Sequence, residues 1–309
     1  MQLFTKIILI SLLSFPLMKE PPNDRIDIIF QENLLSSYLK TDLSFKEIDE
    51  PLLNPAVSDM ILDDINKKVS APPRDAYLDG SNHIIHHENG YKLHREKFRD
   101  QLLVALLSKG SVSIEVPLQI IYPRVDSELI SSIRTNQIGH YVTYFNHHNI
   151  ERSHNISLAA HEINNTVVFP GEVFSFNKTV GKRTKEKGYK KAPVIVRGEL
   201  SEDIGGGICQ VSSTLYNAVD LAGVEIVERY HHSKRVPYVP QGRDATVSWY
   251  GPDFTFRNIY NQPLLIRSKI YGGQLIVTIH SSETVNVKKR EVPPATKDLP
   301  EEIQINNNL

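Results

Sequence analysis

A single cysteine, Cys209, occurs in the 309 residues of this chain. One thiol cannot form a disulfide within the chain, so the fold must be stabilised by the packing of apolar side chains. The length suffices for two domains of ordinary size, each with its own hydrophobic core. With 35 basic and 36 acidic residues, the net charge of −1 gives no electrostatic reason to predict nucleic acid as a partner.

The first residues have the pattern of an export signal. Lys6 precedes an apolar run over residues 7–18, which is short for a bilayer span but suits the core of a secretory signal. Pro16 would interrupt a helix within this run. We predict that residues 1–22 are a signal peptide or an N-terminal anchor, with a buried helix as the alternative. The protein is then extracytoplasmic, and it touches a membrane only through such an anchor.

The pattern over residues 24–122 predicts a small α+β domain. Asn89-Gly90 is typical of a hairpin turn. Apolar residues at helical spacing predict a helix from His94 to Leu107, and alternating apolar residues predict a strand from Val112 to Ile121. Residues 123–140 are then expected to form a linker with one short helix.

Residues 141–282 have the pattern of a second α+β domain. A helix is expected near Ser157–Asn165, and strands are expected near the end of the domain, with Gly272-Gly273 as a hairpin turn. Residues 283–309 are polar and contain prolines, which predicts a disordered tail.

The densest chemical signal is the run from Gly205 to Tyr216, in which three glycines precede Cys209 and an amphipathic helix. This pattern predicts that Cys209 lies in the first helical turn, where the positive end of the helix stabilises a thiolate. The backbone N–H groups of residues 206–210 could then bind an oxyanion. No Gly-Lys-Ser/Thr follows the glycines, so a phosphate loop is not indicated.

A thiol nucleophile needs a base, and the base needs a group that orients it. Cys209, His232 and Asp244 occur in that order, which is similar to the order in papain-like and transglutaminase-like cysteine enzymes. In the alternative interpretation, Cys209 is a small buried residue, His232 is a structural hydrogen-bonding group and Asp244 pairs with an arginine. No histidine has a recognised metal-ligand spacing, so neither a metal nor a cofactor is predicted.

The second domain resembles the VanW family. The resemblance rests on motifs such as Phe169-Pro170-Gly171-Glu172 and Pro240-x-Gly242-Arg243-Asp244-Ala245, and on residues 152–156, 174–177, 180–181, 188–189, 205–216, 228–229, 232–233, 236–238 and 256–258. Residues 25–122 resemble a domain named for peptidoglycan binding that occurs beside VanW and L,D-transpeptidase domains. The family takes its name from a gene in a glycopeptide-resistance cluster, which implies a cell-wall context. Cys209, His232 and Asp244 all belong to the family pattern.

The resemblance implies a two-domain α+β protein, in which a glycine-rich loop and helix with Cys209 accompany a mainly antiparallel sheet. Its expected partner is peptidoglycan or a peptidoglycan stem peptide. One hypothesis is an amidase, peptidase or transpeptidase with Cys209 as nucleophile, His232 as base and Asp244 as its orienting group. The other is a non-catalytic wall-binding or scaffolding protein. The candidate binding residues are Gly206, Gly207, Gln210, Ser212, Arg229, Tyr238 and Arg243.

Overall fold

The computed structural model describes residues 24–45, 50–196 and 199–297. Within these ranges the protein is a mixed α+β structure with seven helices and several mostly antiparallel sheets. The described part of the chain contains no helix that is long and apolar enough to cross a membrane. The predicted signal or anchor, residues 1–22, lies outside the described residues.

The helices and strands alternate along most of the chain. The helices are α1 (Lys40–Leu43), α2 (Pro55–Val69), α3 (Arg95–Leu107), α4 (Ser127–Ile133), α5 (Ile150–Ile163), α6 (Phe176–Val180) and α7 (Ile208–Leu221). The strands are β1 (Arg25–Phe30), β2 (Asn33–Leu39), β3 (Tyr77–Leu78), β4 (Ile84–Ile85), β5 (Gly90–Leu93), β6 (Val112–Glu115), β7 (Leu118–Ile121), β8 (Asn136–Tyr144), β9 (Val167–Val168), β10 (Val173–Ser175), β11 (Lys191–Val196), β12 (Glu199–Ile204), β13 (Glu225–Glu228), β14 (Thr255–Arg257), β15 (Leu264–Tyr271) and β16 (Gln274–Ser281).

Among the described residues, the first of two compact units comprises residues 24–45, 50–73 and 89–122. β1 lies at the centre of a three-stranded sheet, antiparallel to β2 and parallel to β6, and β5 pairs with β7. The apolar face of α3, with Phe98 and Leu102, is fully buried in the same core as Ile26 and Ile28 of β1. This burial of one stripe of the helix follows from the spacing of its apolar residues.

Three features of this unit differ from the sequence prediction. α3 begins at Arg95, because His94 lies at its N-cap. The strand predicted over residues 112–121 is two strands, which pair with different partners on either side of Pro117. Asn89-Gly90 does not form a hairpin. Gly90 instead allows close backbone approach, since a Cβ there would lie 2.6 Å from the carbonyl oxygen of Ala71.

The second unit comprises, of the described residues, 74–88, 123–196 and 199–297. Its main sheet has the antiparallel order β8-β16-β15-β9, and the turn between β15 and β16 is the predicted Gly272-Gly273 turn. α7 packs against β8 and β16, and α5 packs against α7. Val211, Leu215 and Val219 of α7 are fully buried in this core. α7 therefore connects the glycine loop to the centre of the sheet.

Two segments differ from the sequence prediction. Residues 123–140, predicted as a linker with one short helix, contain that helix as α4, but they also contain the first half of β8, whose pairing with β16 makes them part of the second unit. Residues 283–297 belong to the predicted disordered tail, yet they contact the core. The hydroxyl of Tyr141 donates to the carbonyl of Pro293 at 2.9 Å, and Arg290 donates to Asp220 at 2.8 Å. The tail is held because these polar groups satisfy partners at the end of α7 and on β8.

Asp220 near the end of α7 provides a test of this packing. Asp220 is 9% exposed, and its carboxylate pairs with Arg243 at 2.7 Å and with Arg290 at 2.8 Å. We expect Asp220→Asn to lower the free energy of unfolding by about 2–3 kcal/mol, because a half-buried arginine pair loses its counter-charge. The matched control is Glu225→Gln, whose pair with Arg257 is half-exposed at 3.7 Å; it should change stability by less than about 1 kcal/mol. Equal effects in urea unfolding would contradict this assignment.

Candidate functional site

Cys209 is the second residue of α7 and follows the glycine loop. Gly207 has a φ of 104° at the N-cap, in the left-handed region that favours glycine. A Cβ at Gly207 would lie 2.9 Å from the Ile156 side chain and 3.0 Å from Cγ of Arg152. The glycine is therefore needed both for the turn and for the close approach of α5, which together position the thiol.

A buried asparagine fixes the glycine loop through hydrogen bonds. The Asn155 side chain is fully buried and its amide donates to the carbonyls of Lys190 and Gly206, at 2.9 and 3.0 Å. Its oxygen accepts from the Lys190 N–H at 2.8 Å. Each polar group of Asn155 is thus used to fix the loop. Asn155 is part of the family motif, but its role could not be predicted from the sequence, because its hydrogen-bond partners are backbone atoms that are distant in sequence.

The other half of the site comes from the irregular segment between β13 and β14. Three polar residues of α7 fix this segment against the helix: Ser212 donates to the carbonyl of Ala245 at 2.5 Å, Ser213 accepts from the Ala245 N–H at 2.9 Å, and Asn217 donates to the carbonyl of Arg243 at 2.8 Å. All three α7 side chains are fully buried. They place Asp244 beside the first turns of α7.

Asp244 lies between two histidines and is almost buried. Its Oδ2 accepts from Nδ1 of His232 at 2.7 Å and from the His232 backbone N–H at 2.6 Å. Its Oδ1 lies 3.1 Å from Nδ1 of His231. The His232 side chain is only 7% exposed, whereas that of His231 is 51% exposed. The carboxylate therefore orients His232 and leaves its Nε2 for a different partner.

His232 also interacts with the thiol of Cys209. Burial raises the pKa of Cys209, but the hydrogen bond and the charge of His232, together with the hydrogen bonds of Val247 and Thr246, outweigh it and lower the pKa from its usual value. Burial lowers the pKa of His232, yet Asp244 and Cys209 raise it to about 9. Near neutral pH both changes favour a thiolate–imidazolium pair. Thr246 Oγ1 and the carbonyl of Val247 lie 3.8 and 3.6 Å from the sulfur; neither was identified from the sequence.

The carboxyl group of Asp244 responds in the opposite direction. Burial would raise its pKa, but the hydrogen bonds from His232 and His231 and the charge of His232 hold the pKa well below its usual range. Asp244 is therefore ionised wherever the pair of Cys209 and His232 is formed. The catalytic roles of Cys209, His232 and Asp244 stay predictions.

Two predicted binding residues on α7 have internal partners. Gln210 is fully buried, accepts from Arg152 at 2.7 Å and donates to Thr143 and the carbonyl of Tyr144 at 3.0 Å. Ser212 is used by Ala245 as described above. The N–H of Gln210 donates to the carbonyl of Gly207 at 3.0 Å, so this part of the predicted oxyanion site is occupied within the turn.

The predicted binding arginines also have internal roles. Arg229 donates to the carbonyls of Gly242 and Asp244, both at 3.0 Å. Arg243 donates to Asn217 at 2.7 Å, in addition to its ion pair with Asp220. Both guanidinium groups lie over the ring of Tyr216, at 4.4 and 4.7 Å. These arginines support the loop that carries Asp244, and neither forms an ion pair with its carboxylate.

Tyr238 is 8% exposed, and burial raises the pKa of its phenol well above the usual value. It therefore stays neutral in the protein and interacts with Ser213. Gly206 is buried and accepts from Asn155. Each of the seven predicted binding residues therefore has contacts within the protein that explain its presence without a ligand.

His232 and Asp244 are among the residues that line a cavity of about 320 Å³. Its lining includes two cationic side chains, and Cys209 does not contribute to it. The lining residues are His231, His232, Ser233, Lys234, Arg235, Val236, Pro240, Gln241, Gly242 and Asp244. In the described part of the chain, no group of three or more His, Cys, Asp or Glu side chains is arranged to hold a metal ion.

The sequence was compared with those of known proteins and protein families. A family described as VanW like protein matches residues 151–280, a range that includes Cys209, His232 and Asp244. The uncharacterized protein YoaR of Bacillus subtilis is 49% identical over 282 residues, which cover 91% of this chain and 93% of YoaR.

A second relative is shorter in its match. The vancomycin B-type resistance protein VanW of Enterococcus faecalis is 33% identical over 109 residues, which cover 34% of this chain and 40% of that protein. No solved structure is significantly similar to this chain.

Proposed function

The chain belongs to the VanW family, and we propose that it is a cysteine-dependent enzyme that cleaves or exchanges an amide bond in peptidoglycan stem peptides. The observation that carries this proposal is the 2.7 Å hydrogen bond from His232 to Asp244, beside a thiol whose pKa is lowered. A merely structural cysteine in a buried site would have a raised pKa. The cell-wall setting rests on the resemblance of both parts of the sequence.

The proposed reaction has two steps. The Cys209 thiolate attacks the amide carbonyl, forming a C–S bond, and the imidazolium of His232 gives its proton to the leaving amine as the C–N bond breaks. Water or an amine then attacks the thioester. His232 takes the proton of that nucleophile, the C–S bond breaks and the thiolate is restored. Asp244 keeps the imidazole oriented and stabilises its positive charge in both steps.

The site of action is proposed to be outside the cytoplasm, because the apolar run over residues 7–18 has the pattern of an export signal. A fusion of residues 1–22 to a reporter that is active only after export would test this part. Export of the reporter is the expected result, and its retention in the cytoplasm would contradict the proposed site of action.

The chemical proposal is tested with stem peptides purified from digested peptidoglycan. We expect the protein to release a shortened or exchanged peptide and to carry an acyl adduct on Cys209, both detected by mass spectrometry. Cys209→Ser should lower the rate by at least about 1,000-fold, because a neutral hydroxyl replaces a thiolate. The control is His161→Ala, since His161 is exposed on α5; it should keep the wild-type rate.

The cavity beside His232 is lined in part by Lys234 and Arg235. It supports a second candidate function, which is the binding of peptidoglycan without catalysis. Cosedimentation with insoluble peptidoglycan distinguishes the two functions. Binding that is equal in the wild type and Cys209→Ser, without any peptide product or acyl adduct, would support this second function and overturn the enzyme proposal.

A further inference from the structure

Arg183 lies beside the glycine loop, and one nitrogen of its guanidinium group makes no hydrogen bond to the described residues. Its Nη1 donates to Oδ1 of Asn177 at 2.8 Å, while its Nη2 is buried and has no hydrogen-bond partner within the described part of the chain. Buried donors are nearly always paired in folded proteins, because leaving one unpaired costs free energy. A buried guanidinium nitrogen without a partner therefore indicates a place where a ligand supplies the acceptor.

The guanidinium is held in position by its surroundings. Asn177 is itself fixed, since its amide donates to the carbonyls of Ser248 and Pro252 at 2.9 and 3.1 Å. The guanidinium carbon lies 5.7 Å from the centre of the Phe176 ring. The stem of Arg183 lies against Gly205, where a Cβ would be 3.3 Å from Cβ of the arginine. Arg183 is thus preorganised next to the loop that precedes Cys209.

Arg183 has no direct ion-pair partner among the described residues. Burial lowers its pKa, and interaction with the negative charge of Cys209, with smaller contributions from Tyr189 and Asp253, opposes this lowering.

We propose that Arg183 binds a carboxylate of the substrate, next to the amide that Cys209 attacks. The planar guanidinium is suited to a carboxylate, and its free nitrogen lies within electrostatic reach of the nucleophile. The substrate class is then a peptide with a free carboxylate near the cleaved bond, rather than a peptide cut within a neutral stretch. This inference rests on the proposed function, because it assumes a reactive and accessible thiol.

Two alkylating reagents of almost equal size test the proposal without knowledge of the substrate. Iodoacetate carries a carboxylate where iodoacetamide carries a neutral amide, and both react with the single thiol. The ratio of their rate constants cancels any change in the thiolate fraction. For native Cys209 we expect this iodoacetate-to-iodoacetamide ratio to be at least about tenfold higher than for glutathione, through attraction by a desolvated cation.

Arg183→Gln should lower the ratio by about tenfold and leave the iodoacetamide rate within about threefold. Arg183→Lys keeps the charge and should retain part of the preference. The matched control is Lys182→Gln, which removes an exposed neighbouring cation that lies over the Tyr250 ring; it should leave the ratio unchanged. Thermal unfolding of each variant shows whether it is folded. If Arg183→Gln is not folded, a wild-type ratio equal to that of glutathione still overturns the role of Arg183.

The outcomes separate this inference from the proposed function. Rapid reaction with iodoacetamide, combined with a wild-type ratio equal to that of glutathione or a ratio unchanged in Arg183→Gln, would overturn the role of Arg183 alone. Failure of native Cys209 to react with either reagent would overturn the proposed function, and the role of Arg183 with it.

Discussion

Replacing His232 with alanine is expected to slow the alkylation of Cys209 by iodoacetamide at neutral pH by about 10–100-fold. In the native protein His232 lowers the pKa of a thiol whose burial alone would raise it. Without the imidazolium, burial dominates and most of the thiolate is lost, tenfold for each unit of pKa. The remaining thiolate is more basic and somewhat more nucleophilic, which reduces the net effect.

The pH dependence of the wild type gives a second measurement of the same pair. Because the pKa of His232 is raised to about 9, its imidazolium persists below that pH and is lost above it. We expect alkylation to be rapid at neutral pH and to increase again near pH 9, as the thiolate loses its positive partner. His232→Ala should instead show a single increase at alkaline pH, as its thiol, whose pKa is no longer lowered by the imidazolium, ionises.

His231→Ala is the matched control for this prediction. His231 also bonds to Asp244, at 3.1 Å, but its side chain is 51% exposed and it does not contribute to the lowered pKa of Cys209. Its removal should change the alkylation rate by less than about threefold, since an exposed pair contributes little. If Cys209 of the wild type were labelled only after denaturation, the thiolate–imidazolium pair would be refuted.

Gly139→Val is expected to lower the free energy of unfolding by at least about 3 kcal/mol, or to prevent folding. Gly139 is buried on β8, directly beneath α7. A Cβ at this position would lie 2.3 Å from the carbonyl oxygen of Ala218 and 2.9 Å from Cβ of Ala222. These neighbours are a helix backbone and a small side chain, so the clash cannot be relieved by a change of rotamer.

The adjacent residue provides the control. His140 lies on the same strand but is exposed, so His140→Val adds a residue that favours strands without meeting the helix. We expect its stability to stay within about 0.5 kcal/mol of the wild type, measured by urea unfolding. Equal stability of the Gly139 and His140 variants would show that α7 does not depend on this close approach.

The position of Cys209 also depends on this contact, because α7 carries the thiol at its start and packs on β8 near its end. A folded but weakened Gly139 variant should therefore lose part of the rapid alkylation of Cys209. The glycine acts on the site only through the packing of the helix.

Local patterns in the sequence determined the elements whose stability depends on neighbouring residues. The apolar spacing from Val211 to Ala222 predicted α7, and three glycines predicted the turn before Cys209. Gly272-Gly273 predicted the hairpin of β15 and β16, which is confirmed. Period and turn chemistry act over a few residues and can be read without knowledge of the fold.

The tertiary structure decided which polar groups meet. Arg229 and Arg243 turn to the ring of Tyr216 and to internal acceptors, whereas Arg183 keeps a buried nitrogen without a partner. Arg229 and Arg243 were predicted binding residues, but the sequence cannot separate a structural arginine from a ligand-binding one, because a guanidinium has the same five donors wherever it occurs. Its role depends on the carbonyls and carboxylates around it, and these come from segments far apart in the chain.

The site itself shows the same division. The order Cys209, His232, Asp244 suggested a nucleophile, a base and an orienting group, but the sequence equally allowed a structural set. Asp244 is brought to α7 by buried hydrogen bonds of Ser212, Ser213 and Asn217 with residues 243–245. These bonds join segments that are about 30 residues apart in the sequence. Such closure depends on the three-dimensional packing of polar side chains, which no local pattern encodes.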